Sequence, residues 1–235
     1  MTILSVVKDV CAVVGVTLPQ SMFSGITSNR TMQEMLALSN EMAQRIAYDT
    51  RDWTRLKKVF TMTGDGVVAA FDLPANYKRM LLTANVWRST NTLTPMMFVP
   101  DTDEWLNRRV RGMTNSVGEW TIIGNQILIY PILALGETSY FAYLDKNCIA
   151  LNGGGAGDLF MNDADSYLLD ERVLKLGMIF QWKAQKGAPY AEDMGTYGDA
   201  LTNVMGRDSP APIIIGRKPI SANARVAYPW PVPTP

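Results

Sequence analysis

Residues 170–208 constrain the fold more than any other part of the chain, because they predict two helices separated by a tight break. Asp170 is a suitable N-cap for the first helix, Lys183 and Lys186 suit its last turn, and Gly187 and Pro189 stop it. Apolar side chains occupy more than one face of this helix. We therefore expect it to lie at the centre of a bundle.

The second helix of this pair carries a single apolar stripe. The stripe consists of Tyr190, Met194, Tyr197, Leu201 and Met205, at spacings of four, three, four and four residues. Polar residues occupy the opposite side of the helix. This spacing predicts an amphipathic helix that packs on a neighbour through the stripe.

The N-terminal part of the chain predicts two further helices. Residues 3–14 carry two apolar faces and end at Gly15, which favours a short helix packed on both sides. Thr31 and Glu34 fit a capping box that begins a helix over residues 32–48. Its apolar side chains, Met35, Leu38, Met42 and Ile46, share one face. We predict one discontinuous helical bundle built from residues 1–54 and 149–208.

Residues 55–148 follow a different pattern, typical of β-structure. Alternating and β-branched residues on both sides of residues 63–66 predict a hairpin, and Gly124 and Asn125 predict a second one. We predict further strands at 79–88, 96–99, 119–123, 126–130 and 139–144, and a short helix over 101–111 capped by Asp101. The fold class is therefore α+β, with an inserted β-rich module that is a small sandwich or a partly open barrel.

The C-terminal segment, residues 209–235, predicts an extended tail. It contains seven of the thirteen prolines, which break helices and remove strand hydrogen-bond donors. Its apolar residues include Ile213, Ile214, Ile215, Tyr228 and Trp230, too many for a simple solvated linker. We expect this tail to be buried against another protein.

The composition argues against most catalytic chemistry. The chain has no histidine, which removes the commonest general base and most zinc sites. Its two cysteines, Cys11 and Cys148, predict reduced thiols, with Cys11 a buried apolar residue. The glycines within residues 153–157 lack a phosphate-binding context and favour a flexible connection. We expect no cofactor and no metal.

The balance of charge and hydropathy gives no argument for a membrane or for nucleic acid as a partner. Basic and acidic residues number 22 each, and no run approaches the roughly 18 apolar residues of a membrane span. The N-terminus also lacks the order of a signal peptide. We therefore expect assembly in a cytoplasm.

Two charged clusters leave alternatives open. Asp158, Asp163, Asp165, Asp170 and Glu171 would suit a hard cation, but a helix N-terminus and a solvated loop account for them more simply. Paired carboxylates also keep open a carboxylate-based hydrolase, or a carbohydrate-binding β-module.

The second cluster is basic. Arg108, Arg109 and Arg111 lie beside Trp105 and would suit nucleic acid, although a solvated helix face or a subunit contact is the simpler interpretation.

The order of modules resembles the head-to-tail adaptor (connector) proteins of tailed phages, which form the ring below the portal in short-tailed virions. RTMQEMLALSNEMAQRIAYDTRDWTRL resembles the family's first long helix and its exit, and FDLPANYKRM resembles its Phe-x-Leu-Pro-x-x-Tyr turn. DERVLKLGMIFQWKAQKGAPYAEDMGTYGDAL resembles the returning helices. The resemblance covers most of the chain and is weakest in residues 85–118.

This resemblance implies a structural protein and not an enzyme. The expected homo-oligomer is a ring of twelve subunits in the virion, at the head-to-tail junction, around a channel through which DNA passes without sequence-specific binding. The expected partners are the portal protein and a downstream tail or nozzle protein, with no membrane. We assign portal binding to Ile213, Ile214, Ile215, Arg217, Tyr228 and Trp230, and subunit packing to Met35, Leu38, Met42, Tyr190, Met194 and Tyr197.

Overall fold

The computed structural model describes residues 1–24, 29–91 and 93–208. Its helices are α1 Ile3–Val14, α2 Arg30–Tyr48, α3 Thr102–Val110, α4 Glu171–Gln185 and α5 Ala191–Arg207, with a 3₁₀ turn at Thr54–Leu56. Its strands are β1 Lys57–Thr63, β2 Ala70–Asp72, β3 Tyr77–Met80, β4 Trp87–Arg88, β5 Met97–Phe98, β6 Glu119–Ile123, β7 Gln126–Tyr130, β8 Thr138–Asp145, β9 Ile149–Ala150, β10 Ala156–Gly157 and β11 Ser166–Tyr167. This confirms the α+β class. The tail, with its six proposed portal contacts, lies outside the described residues.

The helical bundle combines α1 and α2 from the start of the chain with α4 and α5 from the end. Helix α4 packs against each of the other three, so the prediction of a central helix is confirmed. Close approach is required at Gly177 of α4, where an added Cβ would lie 2.6 Å from Met42 Cε and 3.1 Å from the Tyr197 ring. Glycine at this position therefore lets α2 and α5 both approach α4.

The helix ends confirm one predicted cap and correct another. Asp170 caps α4, since its carboxylate accepts the backbone N–H of Val173. Helix α2 begins earlier than predicted, at Arg30, and Asn29 is its N-cap. The proposed capping box at Thr31 is wrong because Thr31 already lies in the first turn, where the Asn29 side chain accepts the N–H of Met32.

The buried face of α2 corrects part of the assignment to subunit packing. Met35, Leu38 and Met42 are buried in the core of this single chain, so they are not available to a second subunit. Tyr197 is half-buried against Phe180 of α4, with ring centroids 5.0 Å apart.

The stripe on α5 is buried only in part. Leu201 and Met205 pack against the bundle core, whereas Tyr190 and Met194 are exposed. Tyr190 and Met194 lie at the start of the helix and remain available for an external contact.

The β-module is a sandwich of two four-stranded sheets. Sheet A has β8 between β1 and the pair β3 and β4, and sheet B has the order β2-β7-β6-β5. One hydrophobic cluster contains side chains from both sheets, among them Phe141 of β8 and Ile127 of β7. The sequence predicts either a sandwich or a partly open barrel. Two separate sheets that share one core form a sandwich.

The pairing of strands corrects two predictions. The hairpin at residues 63–66 is wrong, because β1 pairs with β8 and β2 pairs with β7. Gly64 is bound instead to the loop before β8, where its N–H donates to Glu137 O at 2.7 Å. The strand predicted over 79–88 is divided into β3 and β4 by a turn in which Ala84 N donates to Leu81 O. The hairpin of β6 and β7 is confirmed.

Strands β9, β10 and β11 form a small third sheet that the sequence did not predict. It places β10 within the glycine-rich segment that we had interpreted as a flexible connection. Tyr167 of β11 is buried in the bundle core and donates its hydroxyl to Ala43 O of α2 at 2.8 Å. Across the described ranges, none of the helices combines the length and apolarity needed to cross a bilayer.

Candidate assembly surfaces

The acidic residues between positions 158 and 171 have separate structural roles and do not form one site. Asp163 accepts the Ser21 hydroxyl at 2.5 Å and the Met22 N–H at 2.6 Å. Asp165 is buried and accepts three backbone N–H groups, from Asn152, Met161 and Asn162. These carboxylates hold loops in place. The interpretation as a solvated loop is therefore wrong for Asp165.

Asp170 and Glu171 line a cavity of about 550 Å³ beside α1 and α4. Asp170 is engaged as the cap of α4, and Glu171 lies 2.6 Å from the ammonium group of Met1. Both carboxylates thus already have partners within the fold. In the part of the chain that the structure describes, no group of three or more metal-ligating side chains could hold a metal ion.

Two arginines of the cluster on α3, Arg108 and Arg109, point into the protein, whereas Arg111 is exposed after the helix. Glu119 of β6 is buried and pairs with Arg108 at 2.7 Å and with Arg109. The Arg109 guanidinium also lies over the Trp105 and Tyr130 rings, 4.5 and 3.6 Å from their centroids. The interpretation of Arg108 and Arg109 as a solvated face is therefore wrong, because both arginines fasten α3 to sheet B.

The opposite side of α3 is exposed to solvent. Leu106 and Val110 are exposed, with 52% and 88% of each residue accessible, and Met113 follows just after the helix at 52%. Asp101 and Asp103 are exposed at the N-terminal end of the same helix and form no ion pair within the described chain. We call the residues Asp103, Leu106 and Val110, which share one side of the helix, the α3 face.

A second exposed surface lies on the outer side of sheet A. Lys57, Val59 and Thr61 are exposed and alternate along β1 with Lys58, Phe60 and Met62, of which Phe60 and Met62 pack in the sandwich core. In the cross-strand register, Thr61 is opposite Tyr140, and Tyr140 is opposite Trp87 on the other neighbouring strand. We call Lys57, Val59, Thr61 and Tyr140 the β1 face. Sheet A continues no further past β1 in the described structure, so β1 is an edge strand.

Buried Glu137 joins three loops at one end of the sandwich, since its backbone carbonyl also accepts the Gly64 N–H. Glu137 accepts two hydrogen bonds from the Arg88 guanidinium at 2.8 and 2.7 Å, one from the Thr90 hydroxyl and one from Ala134 N. The pairing with Arg88 lowers the pKa of Glu137 to about 2, against the opposing effect of burial. Large apolar residues are exposed on these loops: Val67, Val68, Leu93, Ile132 and Leu135.

The chain leaves the bundle at a fixed point beside the sandwich. The Asp208 carboxylate accepts Thr54 N at 2.9 Å, and the Asp208 carbonyl accepts the Thr54 hydroxyl at 3.0 Å. Arg51 lies 3.8 Å from the Asp208 carboxylate and also donates to Met205 O. The residue before the tail is therefore tied to the junction between α2 and β1.

The outer side of α5 carries three glycines. Gly195, Gly198 and Gly206 have open space where a Cβ would lie. Gly195 and Gly198 lie in the helix interior, where each glycine costs about 1 kcal/mol relative to alanine. Tyr190 and Met194, which belong to the stripe that packs on the bundle, are also exposed at the start of the helix.

The two carboxylates that fix the sandwich, Glu119 and Glu137, were missed by the sequence interpretation. Glu119 lies on the side of sheet B that α3 covers, because the next residue, Trp120, faces the sandwich core. A charged residue buried between a strand and a helix requires a partner of opposite charge. Which arginine supplies that partner depends on the tertiary fold.

Comparison with known proteins gave no assignment, since neither the family models nor the curated proteins contain a match to this chain.

Proposed function

We propose that this protein is the subunit of a structural ring at the head-to-tail junction of a phage virion, and that it has no enzymatic role. The observation that carries the proposal is the arrangement of modules: a bundle closed by both ends of the chain, an inserted sandwich, and a chain exit tied to their junction. This is the arrangement that the adaptor family leads one to expect.

The anchored exit supports the role of the tail as an attachment. Because Asp208 is held by Thr54 and Arg51, the following segment starts from a defined position. Twelve such tails would attach at once, so weak individual contacts would combine into strong binding. The proposed contacts with the portal are Ile213, Ile214, Ile215, Arg217, Tyr228 and Trp230.

The exposed side of α5 supports contact between neighbouring subunits. Its three glycines permit close approach of another backbone, and Tyr190 and Met194 add exposed apolar area. Residues 149–208 carry nine acidic and five basic side chains. An acidic excess near a channel would keep its wall from binding DNA phosphates, which suits the passage of DNA without sequence-specific binding. The sandwich would face the downstream tail protein or neighbouring subunits.

The experiment compares the full chain with a variant that ends at residue 208, each mixed with the portal protein of the same phage. Particle mass and electron microscopy measure ring formation, and co-sedimentation measures attachment. We expect the full chain to form a ring on the portal and the truncated chain to lose attachment. The matched control is Thr234→Ala, which alters the tail outside the proposed contacts.

A full chain that stays monomeric and ignores the portal would contradict the proposal. Attachment by the truncated chain would refute the role of the tail. A truncated chain that melts many degrees lower as a monomer would show that the tail packs on its own domain.

A further inference from the structure

The α3 face is held rigidly, although its residues are exposed to solvent. Trp105 is buried beneath α3, and Arg108 and Arg109 pair with the buried Glu119. The helix therefore presents Leu106 and Val110 to solvent in a fixed orientation. An apolar stripe that the fold orients so firmly is typical of an interaction surface.

The β1 face offers a complementary surface on the other sheet. It combines a lysine with an exposed valine, since Lys57 forms no ion pair with any described residue and Val59 is 67% exposed. The α3 face combines a carboxylate, Asp103, with exposed Leu106 and Val110. One face thus offers an acidic group followed by apolar residues, and the other a basic group followed by an apolar residue.

The two faces also agree in spacing. Along the helix, Asp103 and Val110 are separated by about 10 Å at roughly 1.5 Å per residue. Along the strand, Lys57 and Thr61 are separated by about 13 Å at roughly 3.3 Å per residue. With Asp103 opposite Lys57, Leu106 meets Val59, and Val110 meets the row of Thr61 and Tyr140.

We infer that the α3 face of one copy docks on the β1 face of the next copy. The inference rests on the proposed ring, and it assigns one of the ring's subunit contacts to the sandwich. The two faces belong to different sheets of one chain: α3 is fastened to sheet B, and β1 is the edge strand of sheet A. Such a contact is heterologous, because each copy uses its α3 face toward one neighbour and its β1 face toward the other. A closed ring results when the rotation between successive copies adds up to a full turn.

The experiment uses charge reversal in the full chain. Asp103→Lys makes both faces basic, and Lys57→Glu makes both faces acidic. We expect each variant alone to raise the concentration needed for half-assembly by about tenfold or more, because like charges then oppose each other at the contact. The double variant Asp103→Lys, Lys57→Glu restores opposite charges and should recover assembly.

Mixing the two single variants provides an independent arm. The basic helix face of one variant then meets the acidic strand face of the other, so alternating rings should form where neither variant assembles alone. Mass photometry measures these species with and without the portal protein. Circular dichroism checks that every variant remains folded, and salt should weaken the wild-type contact in the same assay.

Two variants that replace exposed valines distinguish this contact from a general effect of charge. Val110→Asp places a carboxylate in the apolar part of the α3 face and should impair assembly. Val67→Asp alters a valine of similar exposure on a loop outside both faces and should leave assembly unchanged.

Four outcomes would overturn the inference. Rings that form equally well with both single variants would exclude this contact while leaving the proposed ring intact. A folded double variant that fails to recover would also exclude the pairing. Loss of downstream tail-protein binding with normal rings would assign the α3 face to that partner instead. A wild-type chain that is monomeric with and without the portal would exclude both the contact and the ring.

Discussion

The bundle and the sandwich bury carboxylates in different ways. In the bundle, the buried Asp165 accepts backbone N–H groups from Asn152, Met161 and Asn162, so a polar loop satisfies it. In the sandwich, Glu119 and Glu137 are buried against arginine side chains. The bundle thus depends mainly on close packing of its helices, whereas the sandwich uses ion pairs to fix the loops and the helix that carry its exposed apolar surfaces.

Because of this difference, we expect the stability of the two modules to respond differently to mutation. Removing one partner of a buried ion pair leaves the other charge uncompensated and destabilises more than removing an exposed pair. A bundle held by packing should respond instead to changes in side-chain volume. The following experiments compare the modules, from the largest expected effect to the smallest.

The sandwich should be most sensitive at Glu137. Glu137→Gln removes the charge that faces Arg88, and we expect a loss of about 3–5 kcal/mol in the free energy of unfolding. The control in the bundle is Glu34→Gln, which breaks solvent-accessible pairs with Arg30 and Lys186 and should reduce stability far less than Glu137→Gln does. Urea denaturation measures both. Equal losses would remove the distinction between the modules.

The bundle should be most sensitive where α2 meets α4. Met42→Ala opens a cavity in the core and should cost about 2–4 kcal/mol. Gly177→Ala alone adds a Cβ within 2.6 Å of Met42 Cε and should cost about 1 kcal/mol. Because the first change removes the atom that obstructs the second, the double variant should be more stable than the sum of the two costs predicts. Strict additivity in urea denaturation would contradict this contact.

The sequence predicted the bundle better than the sandwich, and the reason is the range of the contacts involved. Helix α4 follows from local signals, since Asp170 caps it and Gly187 ends it. The false hairpin at residues 63–66 had equally good local signals. There, however, Gly64 and Gly66 turn the chain toward the loop before β8, and β2 crosses to the other sheet. Long-range pairing of this kind leaves little trace in local composition.

The surfaces were predicted less well than the fold. Met35, Leu38 and Met42 were correctly placed on one apolar face, but periodicity does not distinguish a core from a subunit contact. The sequence did not predict the α3 face, for a similar reason. Arg108 and Arg109 drew attention as a basic cluster, and only the burial of Glu119 shows that the exposed side of α3 is the one bearing Leu106 and Val110.

The pH dependence of stability should also distinguish the modules. The pKa of Glu137 falls from 4.5 to about 2 on folding, chiefly through Arg88. Because the folded pKa is the lower one, its contribution is fully present above pH 4.5 and is lost as the pH falls toward 2. By pH 3, wild type should have lost about 2 kcal/mol more than Glu137→Gln. Parallel pH profiles of the two proteins in urea denaturation would exclude Glu137 as the source.

The smallest effect should come from the caps, which are similar in the two modules. Asn29→Ala removes the side chain that accepts Met32 N at the start of α2, and should cost about 1 kcal/mol. Thr31→Ala is the matched control. Because Thr31 lies inside the first turn, replacement by a better helix former should be neutral or slightly stabilising. The reverse order of the two effects in thermal unfolding would restore Thr31 as the cap and begin the helix two residues later.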